Sequence, residues 1–374
     1  MSKKFYEKTV KERIEYLKEL DLFDEKLNHT LEINDANLLS ENVVSTFELP
    51  MGVVLNFKVD EKLYHIPIVT EEPSVVAALN HAAKLTSLYG FSTHVHNRLM
   101  IGQIFFNDVF DVDLLKSKLT LHKSAIFDVA KNAHQSIYER GGGLKDFSLV
   151  THTDNNGVAY HVLYVYIQTM EAFGANIINT ILESVANYLR EMLELDVLMA
   201  ILTNLATESL VTATCKIPVS NLKGTLETAK RIEKASTFAS LDIYRAATHN
   251  KGIMNGIHGL FLATGNDTRA IEAACHSYAS MDGYKPLSTW KILDDHLVGH
   301  LTIPAPIGSV GKQMNILSKA RLAHKILGNP SALDLMRISA SVGLAQNFAA
   351  LYALTTDGIQ KGHMALHNRI NRNK

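Results

Sequence analysis

Apolar positions in this chain change rhythm several times, and each change marks an element. In MSKKFYEKTVKERIEYLKEL, Tyr6, Val10, Ile14 and Leu17 lie on one helical stripe among lysines and glutamates, which predicts a surface helix packed on the body or on a partner. Residues 41–70 hold FELPMGVVLNFKV and LYHIPIV, rich in Val, Ile, Phe and Tyr and broken by Pro50 and Pro67, and read as extended structure with turns. EEPSVVAALNHAAKLTSLYG then predicts a helix with Pro73 in its first position and Gly90 at its close. Glu72 and Ser74 stand at its entrance, where the helix dipole favours a carboxylate, so Glu72 has an ordinary reading as a capping charge.

From residue 98 to 206 the order is strand LMIGQIFF, a helix carrying Leu115, Leu119, Ile126, Val129, Ala133 and Ile137, and the glycine triplet 141–143. DFSLVTH and AYHVLYVYIQ follow as an antiparallel pair across DNNG, then a helix with Ile178, Leu182, Val185, Leu189 and Met192, then strand VLMAILT. This β-α-β-β-α-β order is a ferredoxin-like pattern, expected as a small domain inserted into a larger one. After residue 208 come strand SLVTATCKI, helix TLETAKRIEKASTFASLD, and the extended, turn-rich HLVGHLTIPAPIGSVG. SALD at 331–334 is a capping-box start, and ASVGLAQNFAALYALTT is apolar nearly all round, which predicts a buried central helix. The expected class is α+β, with residues 1–97 and 207–360 forming the large domain around that helix and 98–206 the small one.

A length of 374 residues fits two domains, and 47% hydrophobic with 20% charged residues fits a soluble protein with a sizeable core. A net charge of −1 advertises neither nucleic acid nor an anionic membrane, and no apolar run reaches the ~20 residues that span a bilayer. The two cysteines, Cys215 and Cys275, show neither metal-type spacing nor a disulfide framework, so a reducing, cytoplasmic setting is expected.

Chemistry concentrates in residues 241–276. Lys251 sits in THNKGIMNG among small and polar residues, and Gly252, Gly256 and Gly259 permit close approach or left-handed backbone. Asp267 stands where ATGND supplies a turn and a new helix begins. An aspartate beside a lysine keeps the amine protonated, a design for stabilising negative charge on a substrate oxygen; the plain alternative is a surface salt bridge. Neither GxGxxG nor GxxxxGK[ST] occurs. EAFGAN places Gly174 and Ala175 just before a helix, where free N–H groups can receive a pyrophosphate. His363 and His367 in GHMALH have the i, i+4 spacing of a zinc pair, but no HExxH glutamate or third ligand accompanies them, and no metal is expected.

YRAATHNKGIMNGI and LATGND, together with ENVVSTFELP at 41–50, EEPSVVAA at 71–78, EAFGAN with NT after it at 171–180, VGLAQNFAAL at 342–351 and GIQKGHMALH at 358–367, resemble the soluble, class II 3-hydroxy-3-methylglutaryl-CoA (HMG-CoA) reductases in order and spacing. The resemblance implies reduction of HMG-CoA to mevalonate and CoA by two hydride transfers from NAD(P)H, a step of the mevalonate route to isoprenoids. It implies catalytic roles for Glu72, Lys251, Asp267 and His363, and substrate contacts at Arg245, Ser74, Asn204 and Asn255. It places the dinucleotide at Glu171, Ala172, Phe173, Gly174, Ala175 and Asn176, with phenylalanine at 173 where methionine is usual. Members that prefer NAD carry an acid where His134 aligns; a histidine does not repel a 2′-phosphate, which favours NADPH. Ser45 replaces a usual glycine, and Lys312 follows Gly311 where two glycines are usual. The family builds its active site between subunits, implying at least a homodimer. Its members continue past GHMALH into a mobile flap, of which 361–374 would be a truncated start. Two further readings remain open at this point: an impaired acyl-CoA or nucleotide-binding homologue without the flap, and a lyase forming a Schiff base at Lys251.

Overall fold

The computed structural model describes residues 3–109, 111–356 and 358. Its helices are α1 (Val10–Glu19), α2 (Ile33–Leu39), α3 (Val75–Leu85), α4 (Val112–Leu121), α5 (Lys123–Ala133), α6 (Gln135–Glu139), α7 (Ala175–Leu193), α8 (Thr225–Leu241), α9 (Ile243–Ala263), α10 (Thr268–Ala279), α11 (Lys312–Ile316), α12 (Ser318–Ile326) and α13 (Ala332–Thr355). Its strands are β1 (Met51–Val59), β2 (Lys62–Val69), β3 (Phe91–Val95), β4 (Met100–Phe106), β5 (Gly143–Thr153), β6 (Ala159–Gln168), β7 (Val197–Leu202), β8 (Leu210–Pro218), β9 (Ser288–Leu293) and β10 (His296–Pro304).

The strands form two sheets, a mixed α+β architecture. One is six-stranded, ordered β2-β1-β3-β8-β10-β9, with a single parallel step where Val59 pairs with Phe91. The other is four-stranded and antiparallel, ordered β5-β6-β4-β7. Two hydrophobic clusters match them: one runs from Met100 to Ala206 in sequence, the other gathers the six-stranded sheet with α3, α8, α9, α10 and α13. α13 begins with the Ser331–Asp334 capping box and is buried through most of its length, including Ser339, Ser341, Gln346 and Asn347. Such polar side chains need partners; Ser339 and Ser341 donate back to the carbonyls of Leu335 and Arg337.

Three local expectations are corrected. The helix expected across Leu115–Ile137 is three pieces, broken at His122 and His134, each of which ends one helix and opens the next. Helix α3 starts at Val75 instead of Pro73 because Ser74 adopts a left-handed conformation, φ 76°. In the N-terminal stripe only Leu17 is buried. Phe5, in place of Tyr6, packs edge-on against Tyr16 at 5.6 Å, leaving Tyr6 and Val10 exposed.

Candidate functional site

THNKGIMNG is neither loop nor turn. It lies within α9, whose Asp242 cap accepts hydrogen bonds from the backbone N–H groups of Tyr244 and Arg245. The glycines are packing devices: a Cβ at Gly259 would lie 2.6 Å from Ile68 Cγ2, and one at Gly256 3.0 Å from Val342 of α13. They bring α9 against β2 and α13, and the buried Ile253, Ile257 and Leu260 outweigh the glycines' poor helix propensity. Only Gly252 has open space beside it.

Helical spacing puts Arg245, His249, Gly252 and Asn255 on one face, with Lys251 beside them. They line a cavity of about 330 Å³ with Glu72, Ser74 and the α13 residues Gln346, Asn347 and Ala350. Lys251 Nζ lies 2.6 Å from Glu72 Oε2, and Asn255 Nδ2 donates to Glu72 Oε1 at 3.1 Å. Both carboxylate oxygens are therefore held, and the ammonium keeps 61% of its side chain open to an incoming group. The left-handed turn at Ser74 is what swings Glu72 from the mouth of α3 onto α9.

The same cavity collects the buried side-chain atoms that lack a partner among the described residues: Ser74 Oγ, His249 Nδ1 and Gln346 Oε1. Each such orphan costs about 1–3 kcal/mol, a cost that a bound polar ligand can relieve. Burial, reinforced by nearby Arg245, pushes the His249 imidazole down to about 4, and burial also lowers Arg245.

The structure does not bring Asp267 to Lys251, correcting the pairing expected from sequence; the lysine's partner is Glu72. Asp267 caps α10, accepting from Arg269 N and Ala270 N at 2.9 and 3.1 Å. It lies beyond the far end of α9, roughly 18 Å along the axis from Lys251 to Ala263 at about 1.5 Å per residue. α10 folds back antiparallel so that Glu272, and not Asp267, meets His258 at 3.3 Å. Asn204 is exposed on the segment between β7 and β8 and does not line the cavity. His363 and the segment 361–374 lie outside the described residues.

At the start of α7, Gly174 has φ 89°, and a Cβ there would lie 2.4 Å from Thr169 Cγ2, so the turn demands glycine. The first turn of α7 has no capping side chain and no acid, leaving its N–H groups free for an anion, a donor set that fits a pyrophosphate. Three contacts hold this turn, none of them predicted from sequence. Arg98, nearly buried, donates from Nε and Nη2 to Met170 O at 2.8 and 2.5 Å and from Nη2 to Ala172 O at 3.0 Å. Desolvation drives its guanidinium down to about 10. Ser309 Oγ donates to the Glu171 carboxylate, which also takes the N–H of Ala332 at 2.7 Å. Gly308 packs so closely that a Cβ would sit 2.4 Å from Phe173 N. A cavity of about 800 Å³ opens beside Glu171, Ser309, Gly311, Arg321 and His324. His134 lies at the α5–α6 break, its Nδ1 3.3 Å from Ser136 Oγ. Among the described residues, no group of three or more histidine, cysteine or carboxylate side chains could hold a metal ion, and no helix is long and apolar enough to cross a membrane.

A lysine–carboxylate pair on one cavity, with an anion-ready helix start beside another, fits an oxidoreductase of the nicotinamide-dependent kind. The family model for hydroxymethylglutaryl-coenzyme A reductase matches residues 9–368, and the chain belongs to that family. It is 40% identical over 372 residues to the 3-hydroxy-3-methylglutaryl-coenzyme A reductase of Archaeoglobus fulgidus, spanning 98% of this chain and 85% of the relative. Identity to the probable reductase of Borreliella burgdorferi is 37%, with the same coverage. The Streptococcus pneumoniae reductase superposes with a TM-score of 0.91 at 43% identity, covering 97% of this chain and 89% of that one. Its class II structure bound to NADPH in open conformations gives 0.89 at 43% identity, covering 94% and 99%. The activity is accordingly NAD(P)H-dependent reduction of HMG-CoA, and these relatives do not favour a binding-only homologue.

Proposed function

We propose that Glu72 and Lys251 are the catalytic pair of this reductase and that the site is completed by a second copy of the chain. The carrying observation is the 2.6 Å contact of Lys251 Nζ with Glu72 Oε2 on a cavity also lined by Arg245, Ser74 and Asn255. Two molecules of reduced nicotinamide cofactor, bound in turn, would each supply one hydride, the first to the thioester carbonyl and the second to the aldehyde. Lys251 stabilises the oxyanion formed at the thioester carbonyl and then polarises the aldehyde. Glu72 delivers the proton that the alkoxide takes, and its second oxygen stays oriented by Asn255. Arg245 pairs with the substrate carboxylate. His363 protonates the departing CoA thiolate.

Asp267 enters this scheme from the partner. Its own α9 holds it away from Lys251, while the adjoining ENVVSTFELP segment leaves Val44 95% and Phe47 90% exposed. Phe47 and Leu49 share a cavity with Leu262 and Ala263 at the Asp267 end of α9, where an apolar surface calls for a covering subunit. Residues 98–206 form a ferredoxin-like inserted domain, with the rest folded around α13; the separate Met100–Ala206 cluster supports this division. Gly174, Ala175 and Asn176 receive the pyrophosphate, and His134 admits a 2′-phosphate, so NADPH is preferred to NADH. The setting is cytoplasmic.

The test is nicotinamide absorbance with and without HMG-CoA, run with NADPH and NADH, with mevalonate and CoA identified as products. Substrate-dependent oxidation, faster with NADPH, is the expected result. No oxidation with either cofactor would overturn the assignment of this pair.

A further inference from the structure

His249 is unassigned by the scheme above, yet it sits inside the cavity, one helical turn from Arg245 and directly before the Asn250–Lys251 step. Its ring is 1% exposed and its environment fixes its tautomer. Trp290 Nε1, which can only donate, bonds to Asn347 Oδ1 at 2.8 Å. Ser288 Oγ lies 2.9 Å from the same oxygen and closer, at 2.7 Å, to His249 Nε2. Because Trp290 fixes Oδ1 as the acceptor, the Asn347 amide NH2 faces His249 Nε2 at 3.1 Å, and the neutral ring accepts there from Asn347 and from the Ser288 hydroxyl at 2.7 Å. A neutral imidazole accepting at Nε2 carries its proton on Nδ1. That Nδ1–H is a buried donor without a partner among the described residues. Arg245, near enough to depress the histidine, likewise has no side-chain acceptor among the described residues.

We propose that His249 Nδ1–H is a second donor, beside the Arg245 guanidinium, for the terminal carboxylate of the acyl substrate, with Trp290 and Asn347 locking the ring in the donating tautomer. This makes His249 a specificity-determining residue, and it rests on the reading of Arg245 given above. One carboxylate between the two side chains satisfies both, whereas an acyl group ending in a methyl leaves the histidine donor unpaired and is rejected.

Two variants separate the ring nitrogens. His249→Gln puts an amide where Nε2 stands, keeps the reach to Asn347 and removes the Nδ1 donor. His249→Asn puts an amide where Nδ1 stands and gives up Asn347. For His249→Gln we expect KM for HMG-CoA to rise at least ~10-fold, with KM for NADPH and the melting temperature close to those of the unaltered chain. For His249→Asn we expect KM for HMG-CoA within ~3-fold of the original in spite of a lower melting temperature. Calorimetric titration with 3-hydroxy-3-methylglutarate reads the carboxylate site without turnover and should weaken in the same order. An unchanged KM and titration in His249→Gln would overturn the proposal. So would a rise in both KM values that simply follows lost stability in the two variants. If the unaltered chain neither turns over HMG-CoA nor binds 3-hydroxy-3-methylglutarate, it is the Arg245 reading that fails.

Discussion

Lys251 shows how far a residue's surroundings can be read from its neighbours in sequence. Its exposure and its polar setting were legible, because no apolar packing explains a lysine among Asn250, Gly252 and Asn255. Its partner was not: Glu72 lies far away in sequence, and the contact depends on a left-handed Ser74 that nothing in EEPS announces. His249 was equally hidden, since a histidine's tautomer is set by Trp290 and Asn347 on other elements. A prediction at this scale concerns the cofactor. His134→Asp places a negative charge where a 2′-phosphate is expected, so the NADPH-to-NADH ratio of kcat/KM should fall by ~10-fold or more, about 1.4 kcal/mol of discrimination. A ratio unmoved by the substitution would place the phosphate elsewhere.

Elements with a clean period match the sequence expectation, among them α7, α8 and β4. The glycine-bearing α9 does not, because its glycines suggest turns and mask the helical signal of Ile253, Ile257 and Leu260 on one face. Those glycines are spacing devices, which gives a stability test. Gly259→Ala drives a methyl against Ile68 Cγ2 at 2.6 Å and towards Val69 O at 3.1 Å. Despite alanine's better helix propensity, it should destabilise by about 1–3 kcal/mol, measured by chemical denaturation. Gly252→Ala, which meets open space, should be neutral or stabilising in the same assay. The turn before α7 was legible as a glycine ahead of a helix, but its supports, Arg98 and Ser309, come from distant segments and carry no local signature.

For the molecule as a whole, the division into two sheets and two cores followed from periodicity, and the buried α13 from its lack of a polar face. A second copy of the chain at the site is expected from resemblance alone. Histidines lowered by partial or full burial contribute to the acid response. Burial depresses His249 to about 4 and lowers His65, His81 and His324 as well. An imidazole lowered in the fold takes up its proton more readily when unfolded, so its contribution is complete above pH about 6.5 and lost as pH falls towards 4. The melting temperature should therefore drop between pH 7 and 4, and His249→Gln should drop less; parallel curves would contradict the assignment. Asp267 sets a test of the shared site. Lys251→Met and Asp267→Asn, each inactive alone, should recover on co-expression to about a quarter of full activity, the share of intact sites in random dimers.

The charge on Lys251 is the central claim, and its direct measurement is HMG-CoA-dependent NADPH oxidation by Lys251→Met, after circular dichroism has shown the variant folded. Loss of an ammonium that stabilises the developing oxyanion should lower kcat by ~100-fold or more. A folded Lys251→Met enzyme making mevalonate at the unaltered rate would contradict the account.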